Sequence, residues 1–468
     1  MNPARLVLPA LRWDDPRGVE AARDDALRAI EAGAGGVILF GGTAESVPRM
    51  VEQLRAGADW PLLVASDLER GAGQQVAGLT ELPPPGALGW IDDPELSREA
   101  GRRTARDARA AGINWVLAPV ADLDAEAGNP IVQSRAFGDD PERVAVHVRA
   151  WIEGCQESAL ACAKHYPGHG RTTADSHLTL PLVSASGALL ERDRVPFRAA
   201  ARAGVAGIMT AHVAYPSLDP TGTPATFSAP ILSGLRDEGF GGVIVTDALM
   251  MEGARLSKGP GEAACRALAA GVDLLLYPEE PLAVIARLQA GVSEDEAFAM
   301  GVRESLMRWE RAARTATASF APGDEFPGLD RLLATRILAG GLIRGEEPRL
   351  RTPVDLVVVD DDQEGTWPPS SPHLVAEALE RIGVPLGGGG SRLVLVFAEP
   401  RAGKRRATLG PRARASLGDA LPGSDLVVLF GHRRIAGEIP GAGPVLVAWH
   451  RQRLMQESVA DWIRDRIR

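Results

Sequence analysis

Cysteine is scarce: Cys155, Cys162 and Cys265 are the only three in 468 residues. An odd count with no paired spacing excludes a disulfide framework and a cysteine-built zinc site. Free thiols in a reducing compartment are the expectation, and with them a cytoplasmic location. Long apolar runs are also missing. No stretch approaches the ~20 residues that a membrane helix needs, so no membrane partner is expected. The first fifteen residues carry arginines and a short apolar patch broken by Pro9, and they lack the sustained apolar core of a secretory signal. Positive charge is in deficit, with 51 Lys+Arg against 61 Asp+Glu, a net charge of −10 and a pI near 5.5. That balance excludes a general nucleic-acid-binding surface.

What is present is ordinary globular composition, 45% hydrophobic and 24% charged. The length exceeds a single ordinary domain, so two are expected. Short β-rich runs recur at Leu6–Leu8, Gly36–Phe40, Leu62–Ala65, Asn114–Pro119, Ala159–Ala163, Gly207–Thr210, Val243–Thr246 and Val272–Tyr277. Helical patterns separate most of them, as at Val19–Ala32, Glu95–Ala111, Glu142–Ser158 and Glu262–Ala270. Eight runs alternating with helices predict an α/β fold, a (β/α)8 TIM-like barrel over residues 1–325. A long helix, about Glu294–Ser319, is expected to end at Ala321-Pro322-Gly323-Asp324. An amphipathic piece, Leu329–Ala339, lies in a linker over 326–350. Strands at Leu356–Asp360, Leu393–Phe397, Leu426–Phe430 and Val445–Ala448, with helices at His373–Ile382 and Glu457–Ile467, then predict a smaller α/β sandwich over 351–468, of doubly wound type. The glycine run Gly387–Gly390 precedes a strand. A phosphate loop would follow one, so this run reads as a plain turn. No internal repeat is visible.

In a barrel of this kind the chemistry sits just past the C-terminal ends of the strands. Asp67, Asp122, Asp124, Lys164, His165, His212 and Asp247 all fall there. Asp247 directly follows four β-favouring residues, which projects its carboxylate into the barrel mouth. The densest segment is Lys164-His165-Tyr166-Pro167-Gly168-His169-Gly170-Arg171-Thr172-Thr173-Ala174-Asp175-Ser176-His177. Its Pro167, Gly168 and Gly170 oppose regular structure, so His165 and His169 do not share a helical face. A zinc site built from His165, His169 and His177 is therefore disfavoured. Asp175 and His177 stand two apart in a loop, where a carboxylate can fix an imidazole tautomer and stabilise its charged form.

The same segment closely resembles the KH(F/Y)PGHG…D-S-H signature of the β-N-acetylhexosaminidases of glycoside hydrolase family 3. Three further elements resemble that family. Gly242-Val243-Ile244-Val245-Thr246-Asp247-Ala248-Leu249-Met250 is similar to its nucleophile segment, Ser66-Asp67-Leu68-Glu69-Arg70-Gly71 to its D-x-E-x-G element, and Ser134-Arg135-Ala136-Phe137-Gly138-Asp139-Asp140-Pro141-Glu142 to its R-(S/A)-F-G-(D/E)-D-P-E element. The resemblance covers about residues 30–280. It implies a retaining β-N-acetylglucosaminidase acting on terminal GlcNAc of muropeptides or chitin oligosaccharides. Asp247 would be the nucleophile, His177 the acid/base and Asp175 its partner. Asp67, Lys164 and His165 would hold the sugar, Arg135 would contact the sugar or brace the nucleophile, and His169 would brace the loop. Gln74 and Gln75 stand where many members carry an arginine. Asp139 and Asp140 are expected to cap the next helix, and Asp122 to be structural. No metal or organic cofactor is implied. A phosphorylase using phosphate in place of water, and a carbohydrate-binding barrel without turnover, are the alternatives. Bracing the barrel, shaping the outer substrate site and mediating a homodimer are the roles open to the second domain.

Overall fold

The structure is a computed structural model that describes residues 2–255, 259–318, 326–364, 369–401, 403–441 and 443–468. Nine strands build the first unit: β1 Val7–Leu8, β2 Ala10–Arg12, β3 Gly36–Phe40, β4 Leu63–Ser66, β5 Trp115–Val116, β6 Leu160–Tyr166, β7 Gly207–Thr210, β8 Val243–Thr246 and β9 Leu275–Leu276. β2 to β8 form a parallel sheet in sequence order. Pro9 splits the first barrel strand into β1 and β2, because proline has no N–H to give to a ladder. β1 pairs with β9, and a parallel bridge from Val245 to Leu274 joins β8 to the residue before β9, so the ring closes as a parallel barrel of eight staves. Buried Leu6, Leu8, Leu11, Val37, Val64, Trp115, Ile208 and Ile244 belong to one continuous core, the near-uniform apolar reading that strands covered on both faces require.

Helices cover the outside, and their ends follow local chemistry. The helix Pro141–Cys155 starts with Asp140, whose Oδ1 accepts the N–H of Arg143 at 2.9 Å, while its Pro141 occupies a position that needs no N–H. Asp139 makes no such cap. The long helix expected over 294–319 is the helix Glu296–Thr317, and a separate helix, Pro281–Glu294, precedes it. Asp295, in extended conformation between them, accepts the N–H of Phe298 and starts the second. The Ala321–Asp324 break, and the expected first-domain end at 325, lie outside the described residues.

Five strands build the second sheet: β10 Leu342–Arg344, β11 Val354–Asp360, β12 Ser391–Ala398, β13 Leu426–Gly431 and β14 Val445–Val447, in the order β10-β14-β13-β12-β11. Residues 326–350, expected as a linker, hold the helix Leu329–Ala339 and the edge strand β10, which pairs antiparallel to β14. The four parallel strands β11 to β14 follow sequence order, so the reversal that a doubly wound sheet shows is missing among them. Their own core includes Leu393, Leu395, Phe397, Val428, Phe430 and Met455, with Phe397 and Phe430 stacked at 4.7 Å. The C-terminal ends of β13 and β14 are turned to the barrel loops. Gln452 donates to Leu82 O at 2.7 Å, Leu454 N–H donates to Glu81, and Arg434 bridges to Asp124.

Candidate active site

Three barrel strands present the charged groups. Ser66 ends β4 and Asp67 follows it; β6 runs through Lys164 and His165; Asp247 follows β8. Lys164 Nζ donates to Asp67 Oδ1 at 2.6 Å and pairs with Glu69 Oε1 at 2.8 Å. Arg135, on the short turn Gln133–Arg135, grips Glu69 with both Nε (2.9 Å) and Nη2 (2.7 Å). Lys164 and Glu69 are buried at 3% and 6% side-chain exposure, a placement that requires such full pairing. Burial favours the uncharged form of each, yet the charges of Arg135 and Lys164 hold the Glu69 carboxyl well below its usual range. Likewise Asp67 and Glu69 overcome burial and raise the Lys164 ammonium. Glu69 is the hub of this cluster, and no role had been read for it from the sequence. The signal was there, a second carboxylate two residues after Asp67. Arg135 is spent on Glu69 and not on Asp247.

The second group surrounds Asp247, which is half-buried. Its Oδ1 accepts the N–H of Ala248 at 2.7 Å, and its other oxygen has no hydrogen-bond partner among the described residues. Desolvation pushes its carboxyl up, but His165, His212 and His177 outweigh that and bring it down to about 2. It is thus an anion at any working pH, with one oxygen free. His165 gives Nδ1–H to Asp122 Oδ2 at 2.7 Å, while Asp122 Oδ1 accepts the backbone N–H of His165 and of His169. Asp122 therefore ties the start of the histidine loop, as a structural residue does. His212 donates Nε2–H to Ala248 O at 3.1 Å and meets Thr226 through Nδ1 at 2.7 Å, which braces the segment carrying Asp247. His169 uses both ring nitrogens, on Thr172 (2.9 Å) and Ser176 (3.0 Å), and burial pulls its pKa to about 4. It is a neutral brace inside the loop.

The loop then delivers Asp175 and His177. His177 Nδ1–H donates to Asp175 Oδ1 at 2.7 Å, and its backbone N–H reaches the same oxygen at 2.9 Å. Asp175 is almost fully enclosed, whereas the His177 side chain is 40% exposed. Nε2 of His177 has no partner among the described residues. Burial works against the Asp175 anion, but His177 and the N–H of Gly403, 2.8 Å from Oδ2, hold it to about 2. The loop leans on the segment after Asp247, where the N–H of Gly253 donates to Ser176 O at 3.1 Å. Gln74 and Gln75 are turned to backbone: Gln74 accepts from Arg70 N and Gln75 from Gly41 N.

The arrangement therefore brings Asp67, Arg135, Lys164 and Glu69 into one ion cluster. His165 lies in the field of Asp247, and Asp175 and His177 form a bonded pair. One free carboxylate oxygen and one free imidazole nitrogen at the mouth of a closed parallel barrel suit displacement at an electrophilic carbon with proton delivery. That combination defines a hydrolytic class of barrel enzymes, and the glycosidases are prominent among them.

Comparison with known proteins narrows the class. Residues 19–311 match the model of the glycosyl hydrolase family 3 N-terminal domain. The chain is 38% identical over 291 residues to a β-hexosaminidase of Thiobacillus denitrificans, covering 58% of this chain and 80% of that one. It is 41% identical over 268 residues to a β-hexosaminidase of Thioalkalivibrio sulfidiphilus, covering 54% and 76%. The structure of a glycoside hydrolase family 3 β-N-acetylglucosaminidase from Paenibacillus sp. superposes with a TM-score of 0.82 at 26% identity, over 100% of this chain and 96% of that one. The chain belongs to glycoside hydrolase family 3, and it is a glycoside hydrolase.

Proposed function

We propose that the chain is a retaining β-N-acetylhexosaminidase that removes terminal β-linked GlcNAc from a saccharide such as a muropeptide or a chitin oligosaccharide. The hexosaminidase activity rests on the named relatives at 38% and 41% identity. The mechanism rests on one observation: His177 is fixed through Nδ1 by Asp175 and open at Nε2, on a loop bonded to the segment that follows Asp247. The Asp247 oxygen attacks C1 as the bond from C1 to the leaving oxygen breaks, and His177 Nε2 gives its proton to that oxygen. A glycosyl ester on Asp247 results. His177, now neutral, takes a proton from water as the water oxygen bonds C1 and the ester releases Asp247. Asp67, Lys164, Arg135 and His165 hold and align the sugar hydroxyls, which fixes C1 in line with Asp247.

The test is product analysis on an aryl β-GlcNAc glycoside, with and without phosphate. This reading expects free GlcNAc in both buffers, released first as the β-anomer. GlcNAc 1-phosphate appearing only with phosphate makes the enzyme a phosphorylase on the same residues. No turnover at all makes it a binding barrel.

A further inference from the structure

Asp175 belongs to the barrel, but one of its two oxygens is held from outside it. Oδ1 takes both donors of His177. Among the described residues Oδ2 takes one donor, the backbone N–H of Gly403 at 2.8 Å, from the loop that follows β12 in the second sheet. The Asp175 side chain is 1% exposed. Without Gly403, Oδ2 would be a buried anionic oxygen lacking a donor, an expensive arrangement.

The loop is built to present that one amide. Gly403 has φ +83°, in the left-handed region that glycine and, less readily, asparagine adopt. The next residue, Lys404, turns inward and is buried. Its Nζ donates to Asp362 Oδ1 at 2.9 Å and to Glu399 O at 3.1 Å, and pairs with Asp361 Oδ2 at 3.1 Å. Asp362 Oδ1 also accepts the N–H of Glu399 at 2.9 Å. Both ends of the loop are thus gripped by the carboxylates that follow β11. Arg434, His432 and Gln452 then hold the second sheet against the barrel loops. The chain of contacts from β11 to His177 is unbroken.

We propose that Gly403 is a positioning residue for the acid/base group. Its amide fixes the Asp175 carboxylate so that Oδ1 meets His177 Nδ1, and the constellation is complete only when the second domain is docked. The proposal rests on the reading of His177 as acid/base. The second domain then acts on the chemistry through this backbone hydrogen bond.

The test uses the full chain and kcat/KM on two β-GlcNAc glycosides, one with a poor leaving group and one with an activated aryl group. Gly403→Pro removes the N–H. Gly403→Asn keeps it and tolerates the left-handed conformation. Gly403→Val keeps the N–H but is disfavoured at that φ, so it shifts the loop and serves if the proline variant does not fold. Losing a hydrogen bond to a charged group corresponds to roughly 10- to 100-fold. Gly403→Pro, or Gly403→Val in its place, is expected to lose that much on the poor leaving group and far less on the activated one. Gly403→Asn recovers most of the loss. Combined with Asp175→Ala, the Gly403 substitution adds almost nothing, since both act on one bond. Equal losses on both substrates, or losses that multiply with Asp175→Ala, overturn the proposal while leaving the acid/base reading intact. If Asp175→Ala itself shows no dependence on the leaving group, the acid/base reading fails and this proposal with it.

Discussion

Two charged groups at the barrel mouth are built in opposite ways. In the Asp67–Lys164–Glu69–Arg135 cluster each carboxylate meets a cation, and Lys164 and Glu69 are nearly sealed from solvent. In the Asp175–His177 pair the carboxylate is enclosed, but the imidazole keeps one nitrogen free and 40% of its side chain exposed. The first pattern yields fixed geometry and charges held by their partners. The second yields a group held on one side and open on the other, as proton transfer needs. Rigidity suits recognition and half-held openness suits chemistry; Asp247, with one oxygen bonded and one free, follows the second pattern.

The largest effect that would sharpen this contrast belongs to Asp247. Asp247→Ala is expected to lower kcat by about 10^4-fold or more with the melting temperature unchanged. Azide, occupying the vacated face, should yield only an α-configured glycosyl azide. Next is His177→Ala. It should cost roughly 10^2- to 10^4-fold in kcat/KM on poor leaving groups and much less on activated aryl glycosides. Equal losses on both would make His177 part of the rigid pattern and break the contrast. Glu69→Gln is the counterpart on the saturated side. It leaves the buried Lys164 ammonium paired with Asp67 alone and Arg135 beside a neutral amide, at a cost of about 3 kcal/mol in denaturant stability. Any loss in kcat/KM should be the same for good and poor leaving groups.

A smaller effect concerns pH. His169 is held at about 4, below the ordinary histidine value of ~6.5, so the unfolded chain binds a proton that the folded one refuses. Its contribution to stability is complete above pH ~6.5 and is lost as pH falls toward 4, amounting to about 3 kcal/mol at most. Burial lowers His147, His212 and His450 in the same direction. Urea midpoints measured from pH 7 to 4.5 should therefore fall, and His169→Gln should fall less steeply than wild type. The carboxyls at about 2, Asp247 and Asp175, lose their contribution only below that window. The smallest effect is Arg434→Ala, which weakens the docking of the second sheet on Asp124. At an exposure of 34% for Arg434 it should cost about 1 kcal/mol, read as a small drop in melting temperature.

The barrel was legible because buried parallel strands leave short apolar runs, and because charged residues at strand ends are hard to explain otherwise. Asp67, Lys164 and Asp247 stood out on that ground. Other features left weaker marks. Pro9 hid the split of the first strand, and β10, with a half-exposed burial pattern, has no strong period to show. The hub role of Glu69 depends on Arg135, 66 residues away, and the role of Asp122 depends on His165, 43 residues away. Local spacing cannot register such pairs. The amide of Gly403 is further out of reach, since a backbone N–H has no letter in the sequence and its partner lies 228 residues away.

The central claim is that the free oxygen of Asp247 forms a covalent bond to the sugar while His177 supplies the proton. The most direct measurement is peptide mass mapping after reaction with a slow fluorinated N-acetylhexosaminyl fluoride, which prolongs a glycosyl-enzyme. The account predicts one added fluorinated N-acetylhexosaminyl unit, carried on Asp247 after fluoride leaves C1, and absent in Asp247→Ala. A label on any other carboxylate, or full turnover with no covalent species under conditions that slow its hydrolysis, would contradict it.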